Sequence, residues 1–220
     1  MDGQTAARPV RHWKAGRWLA DGSLDAVAEI NNQCLEYLAA MAAAGSASCP
    51  ALFTGLGLAW SQMPGSSRTR LAASPCLLAD AAFDDEQRWR SLVPRMVQDV
   101  PAQFAEPLFV GPGAADFIRR VLVFGWHLAR ANPQLARVAL GMPPACAERI
   151  GRLRLQDLDW LALHRPGWVR PRWERQPRVW QHLLLAARET DGELLTQVSL
   201  RGLQLMAAGV LPSGGRPRGL

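Results

Sequence analysis

The sequence predicts an all-α fold, a compact bundle of short helices, and three observations carry that expectation. Apolar residues recur at helical spacing through most of the chain, almost nothing alternates with a period of two, and Pro, Gly and Ser-Pro steps cut the helical stretches short. The 220 residues, 49% hydrophobic and 20% charged, supply a real core for one domain or two small ones.

The elements follow in order. Residues 1–9 are polar, and Trp13, Trp18 and Leu19 suggest a short amphipathic turn. Ser23 is placed to cap a helix over residues 24–44, whose apolar face is Val27, Ile30, Cys34, Leu35, Leu38 and Met41. Helices over 51–60 and 68–73 come next, and Ser74-Pro75 ends the second of them. Residues 77–83 read as extended or irregular, with no sheet expected, before a helix over 84–97 that starts at Asp84 or Asp85. Pro101, Pro107, Gly111, Pro112 and Gly113 mark a boundary between a half at 1–110 and a half at 111–212, with 213–220 a flexible Gly/Pro tail. In the second half a helix spans 115–131. Asn132-Pro133 opens another to about Leu140, because asparagine caps and proline fits the first turn. Helices over 143–152, 155–164, 178–187 and 193–208 complete the series.

The charge is uneven. Residues 1–110 carry 9 Lys/Arg against 11 Asp/Glu, residues 111–220 carry 16 against 8, and the whole chain is at +6. An anionic partner would therefore meet the second half. Lys14 is the single lysine, a bias that GC-rich coding also produces, so the position of each arginine says more than their number. Cys34, Cys49, Cys76 and Cys146 stand far apart with no CxxC or Cys/His pairing, which predicts buried reduced thiols and no metal site. The chain shows no basic segment leading into an apolar run. Its longest uncharged stretch, 37–67, is broken by Gly45, Ser46, Ser48, Pro50, Gly55 and Gly57, so a cytoplasmic protein without a membrane span is expected.

An internal repeat is also expected. Leu71-Ala72, Phe83, Trp89 and Leu92 line up with Leu161-Ala162, Trp173, Trp180 and Leu183 at separations of 90, 90, 91 and 91, and Leu56-Gly57 precedes Leu140-Gly141 by 84. Two such halves would pack as a pseudo-dimer.

The candidate functional residues lie in a basic window near the C-terminal end. Arg149, Arg152, Arg154, Arg165, Arg170, Arg172, Arg175 and Arg178 face only Asp157, Asp159 and Glu174 there. On one surface they would displace counterions from the phosphates of double-stranded DNA; otherwise they form a solvated face or pair with the acidic first half. Trp160 and Trp180 sit on apolar helix faces, whereas Trp168 and Trp173 lie in a Pro/Gly-broken loop and are candidates for a protein-binding surface. Residues 143–164 have the outline of a helix-turn-helix, but Asp157 and Asp159 on its second helix would repel phosphate. His12, His127, His164 and His182 lack companions at metal-ligand spacing, His127 and His182 read as core, and Asp84-Asp85-Glu86 reads as a helix-start cluster. No nucleotide-binding glycine pattern occurs, so neither an enzyme nor a cofactor is expected.

From Trp126 to about Ala208 the chain resembles FlhD, the small helical subunit of the bacterial flagellar master transcription regulator. The residues that carry the likeness are Leu128, Asn132, Ala136, Leu140-Gly141-Met142, Ala147, Ile150, Leu153, Leu155, Leu158, Leu161-Ala162 and Arg172-Trp173-Glu174. The resemblance covers under half of the chain, and residues 1–110 match only through the repeat. It implies a helical dimerising unit that binds DNA together with a second subunit, FlhC, which supplies a zinc site this sequence lacks. The function expected is a bacterial transcription regulator acting through its basic half, with homo-oligomer formation left open. The alternative is a helical adaptor on a larger assembly, such as the cytosolic side of a secretion apparatus.

Overall fold

The computed structural model describes residues 22–45, 50–92, 106–189 and 192–210. The turn expected at Trp13–Leu19, Cys49, the continuation of a helix to Val97, the boundary proline Pro101 and the tail from Ser213 lie outside the described residues. The fold is all-helical apart from one small antiparallel bridge. The order is α1 (Ser23–Ala43), α2 (Pro50–Phe53), α3 (Gly57–Ser61), α4 (Gly65–Ala72), β1 (Ala79–Asp80) and α5 (Glu86–Ser91). It continues with α6 (Ala114–Ala131), α7 (Pro133–Leu140), α8 (Pro144–Gly151), α9 (Leu155–His164), β2 (Arg170–Pro171), α10 (Pro177–Arg188) and α11 (Gly192–Val210).

Local signals set several ends as expected. The Asn132 side chain accepts from the Leu135 N–H at 3.0 Å and starts α7, and Asp85 accepts from the Arg88 N–H at 2.9 Å to start α5. Three expectations need correction. The N-cap position of α1 is Gly22, in the left-handed region at φ 69°, and Ser23 is already the first helical residue. The helix expected over 51–60 is two short ones, α2 and α3, split by a turn at Gly55 with φ 75°. A sheet does form: Ala79 pairs with Pro171 and Asp80 with Arg170. Two residues per strand leave no room for the period-two pattern that announces a strand.

Asn31, fully buried in the middle of α1, holds the irregular segment that leads from the end of α4 to β1. Its amide N–H groups donate to the carbonyls of Ala72 at 3.1 Å and Cys76 at 3.0 Å, and its Oδ1 accepts from the Leu78 N–H at 2.7 Å. One side chain thus satisfies backbone groups that would otherwise be buried without partners.

The two halves follow the same order of elements. Helices α1 and α6 begin 91 positions apart, each after a left-handed glycine, Gly22 and Gly113. Ala82 and Trp173, the non-glycine residues found at positive φ (53° and 55°), are also 91 apart. Trp89 and Trp180 keep the same separation. Their indole N–H groups close the two turns by donating to Ala82 O at 2.7 Å and Arg172 O at 2.8 Å. The turn geometry therefore sets Ala82, not Phe83, opposite Trp173.

Packing also mirrors itself. Helix α1 packs on α3 and α4, and α6 packs on α8 and α9. Each half then lends the helix after its bridge strand to the other: α10 packs on α2, α3 and α4, while α5 packs on α8. One hydrophobic core runs from Val27 to Ala187 through both halves. Helix α11 packs on α10 and α7. Phe83 enters the core against Gly125 of α6, where a Cβ would lie 2.4 Å from the ring. Among the described residues no helix is long and apolar enough to cross a membrane.

Candidate functional site

The basic window divides into an interior part and a surface part. Arg172 is only 7% exposed. Its Nε donates to Leu77 O at 2.7 Å, its Nη2 donates to Leu140 O at 3.1 Å and to Asp80 Oδ1 at 3.2 Å, and its own N–H bonds Leu78 O at 2.7 Å. Arg170 grips Glu174 four residues on, with Nε to Oε2 at 2.7 Å and a second bond from Nη2 to Oε1, and its Nη1 donates to Glu106 O at 2.6 Å. These two arginines clamp the second-half turn to the first half, which corrects their expected place on a nucleic-acid surface. The reason is geometric: the bridge between β1 and β2 folds the loop inward, and a guanidinium can be buried there because carbonyls and a carboxylate meet its N–H groups.

The loop tryptophans need the same correction. Trp168 is 2% exposed, with its ring edge-on to Trp89 at 5.4 Å and the Arg88 guanidinium 4.1 Å from its centroid. Trp173 is half-buried over Gly202 of α11, where a Cβ would lie 2.8 Å from the indole. Neither indole stands free for a partner. In contrast, His127 and His182, expected in the core, are both exposed. Arg165 lies 5.5 Å from the Trp160 ring centroid, and Arg175 and Arg178 are exposed on the turn before α10 and at its start.

Arg149, Arg152 and Arg154 are the ones brought together. Pro144 in the first turn starts α8, so that Arg149 falls in its last turn and Arg152 at its C-terminal cap. Leu153 and Arg154 then run extended into α9, where Asp157 Oδ2 accepts from the Arg154 backbone N–H at 2.8 Å. The Trp126 indole N–H donates to Leu153 O at 2.8 Å and ties this turn to α6. Gly151 lets the stem of Arg130 pass, with a built Cβ 3.3 Å from its Cγ, and the Arg130 guanidinium rests 4.8 Å from the Trp126 ring centroid. Arg130 is a fourth cation beside the turn; it lies outside the basic window, and only the α6–α8 packing reveals it.

Around this turn opens a cleft of about 270 Å³ lined by Ala145, Glu148, Arg149, Arg152, Leu153, Arg154 and Asp157. Glu148 pairs with Arg152, both well exposed, and Asp157 is engaged in the cap. Among the described residues Arg149 and Arg154 have no carboxylate partner, and the buried Arg149 Nε has no hydrogen-bond partner. Three arginines lining one cleft, two of them without a carboxylate partner, are suited to an anionic oxygen from outside. In the helix-turn-helix outline, the residues that α9 exposes include Leu155, Gln156 and Leu163, and Asp159 pairs with Arg119 of α6.

Burial pushes the Cys34 and Cys76 thiols up, and burial with Glu86, Asp84 and Asp85 nearby pushes that of Cys146 up to about 11, so these sulfurs stay protonated. Among the described residues no group of His, Cys, Asp and Glu is arranged to hold a metal ion. The fold and the cleft define an all-helical protein with a cationic surface cleft. Comparison with protein-family models, characterised proteins and solved structures finds no match for the chain.

Proposed function

We propose that the protein is a non-enzymatic bacterial transcription regulator that grips the phosphate backbone of double-stranded DNA through the cleft of Arg149, Arg152 and Arg154. The observation that carries this reading is the convergence of three arginines on one cleft, two of them without a carboxylate partner among the described residues. The resemblance to FlhD read from residues 126–208 agrees with it, since that family binds DNA with a second subunit, and a cytoplasmic regulator acting with a partner protein is the corresponding picture. Titrating salt against binding of a short duplex tests it. Two or three phosphate contacts make the slope of log K against log salt about −2 to −3, and the doubly substituted Arg149→Ala/Arg154→Ala protein loses about two units of that slope. Affinity that does not depend on salt, or that the double substitution leaves unchanged, overturns the reading.

A second reading, a helical adaptor on a larger assembly, draws on one observation. Leu194 and Leu200 of α11 are 44% and 52% exposed, and Leu185 of the adjoining α10 is 51% exposed. Nuclease treatment before co-purification separates the two: an adaptor keeps a stoichiometric protein partner, and a DNA binder loses what it carried.

A further inference from the structure

The recurrences at 91 positions describe a two-fold axis inside one chain. An axis exchanging each residue with the one 91 further on maps the bridge pair Ala79–Pro171 onto the pair Asp80–Arg170, and both pairs are formed. Residues on such an axis meet their own equivalents. Glu29 and Arg120, again 91 apart, do so through an ion pair at 2.9 Å between α1 and α6. In a dimer of identical chains these positions would hold like charges face to face. Within one chain they hold opposite charges, so the halves have diverged at the axis itself.

The cleft has diverged too. The C-terminal caps of α3 and α8 are Gln62 and Arg152, and the N-terminal caps of α4 and α9 are Pro64 and Arg154, each pair 90 apart. The same register sets Ala59 against Arg149 and Leu58, 74% exposed, against Glu148. Every charged position of the second-half cleft at this turn therefore has an uncharged equivalent. We infer that the protein is a fused, differentiated pseudo-dimer with one anion-binding cleft instead of two, so that it engages a single DNA duplex from one side, at a site without two-fold symmetry. This rests on the DNA reading above. A symmetric dimer would offer two equal cationic clefts and favour a palindrome; here the symmetric mate offers Leu58, Gln62 and Pro64, with no charge for a phosphate.

The test uses the full chain and a non-palindromic duplex of about one helical turn, with stoichiometry and affinity from titration calorimetry at low salt. The wild type takes up one duplex per chain, and Arg149→Ala/Arg152→Ala/Arg154→Ala weakens binding about tenfold or more. Gln62→Arg/Pro64→Arg adds a second, weaker site and partly restores binding to the triple-alanine protein. Gln62→Arg alone, at an exposed cap, reads the same gain should the double substitution fail to fold. Two duplexes per wild-type chain, or grafted arginines that add no site, overturn the inference while the DNA reading stands. A wild type that binds no duplex removes both.

Discussion

The turn at residues 80–89 and its counterpart at 171–180 have the same backbone and opposite chemistry. Both pass through a left-handed residue, Ala82 or Trp173, and both are closed by an indole N–H donating back to a turn carbonyl. Yet the residue before the left-handed position is Ala81 in one and Arg172 in the other, and both are buried. A methyl group fills its site by itself. A guanidinium needs Leu77 O, Leu140 O and Asp80 around it, so the second turn adds a buried long-range polar network to its indole bond, whereas the first has a methyl group at that position. A repeated backbone thus constrains shape far more tightly than it constrains the nature of the side chains that hold it.

The largest effect expected separates these turns directly. Arg172→Ala strands two buried carbonyls and a carboxylate and costs about 3–5 kcal/mol by chemical denaturation, a scale set by broken buried ion pairs. Ala81→Gly, which removes one methyl group from the other turn, costs about 1 kcal/mol. If the two losses prove equal, the polar network does not hold the second turn. The next effect concerns the rings that anchor the turns. Gly125→Ala drives a Cβ into the fully buried Phe83 and costs about 2–3 kcal/mol, on the scale of core overpacking. Gly202→Ala meets the half-buried Trp173, which can swing outward, and costs about 1 kcal/mol.

A smaller and matched effect comes from the indole hydrogen bonds. Trp89→Phe and Trp180→Phe each forfeit one N–H donor and a little volume, for about 1–2 kcal/mol, and the two values agree within error if the turns are true equivalents. Smallest of all is Glu29→Gln at the axis. Its partner Arg120 and Glu29 itself are more than half exposed, so stability changes by less than about 1 kcal/mol, and by less still in high salt. A larger loss in melting experiments would mean that the axis contact organises the fold.

Reading the sequence reached some of these features and not others for identifiable reasons. Helix α9 begins and ends where its apolar spacing places it, and the caps at Asp85 and Asn132 are local bonds spanning three residues. Gly141, at φ 68°, ends α7 as a left-handed cap. The repeat was visible through Trp89/Trp180 and misplaced by one residue at Phe83, because side-chain likeness follows ring size whereas the turn is defined by φ. Of eight candidate arginines, three share a cleft, and two are internal clamps. The linear order held no sign of that division, since Arg152 and Arg172 are both flanked by turn residues and differ only in what the fold brings against them.

By itself the sequence determined the helical class, the punctuation between helices, the duplicated order and the surplus of cations in the second half, all of which arise from interactions over a few residues or from composition. Tertiary structure alone decided which guanidinium and indole groups face water. Burial of Arg172 depends on carbonyls 32 and 95 residues away, and such partners meet only once the two halves have packed together through α5 and α10.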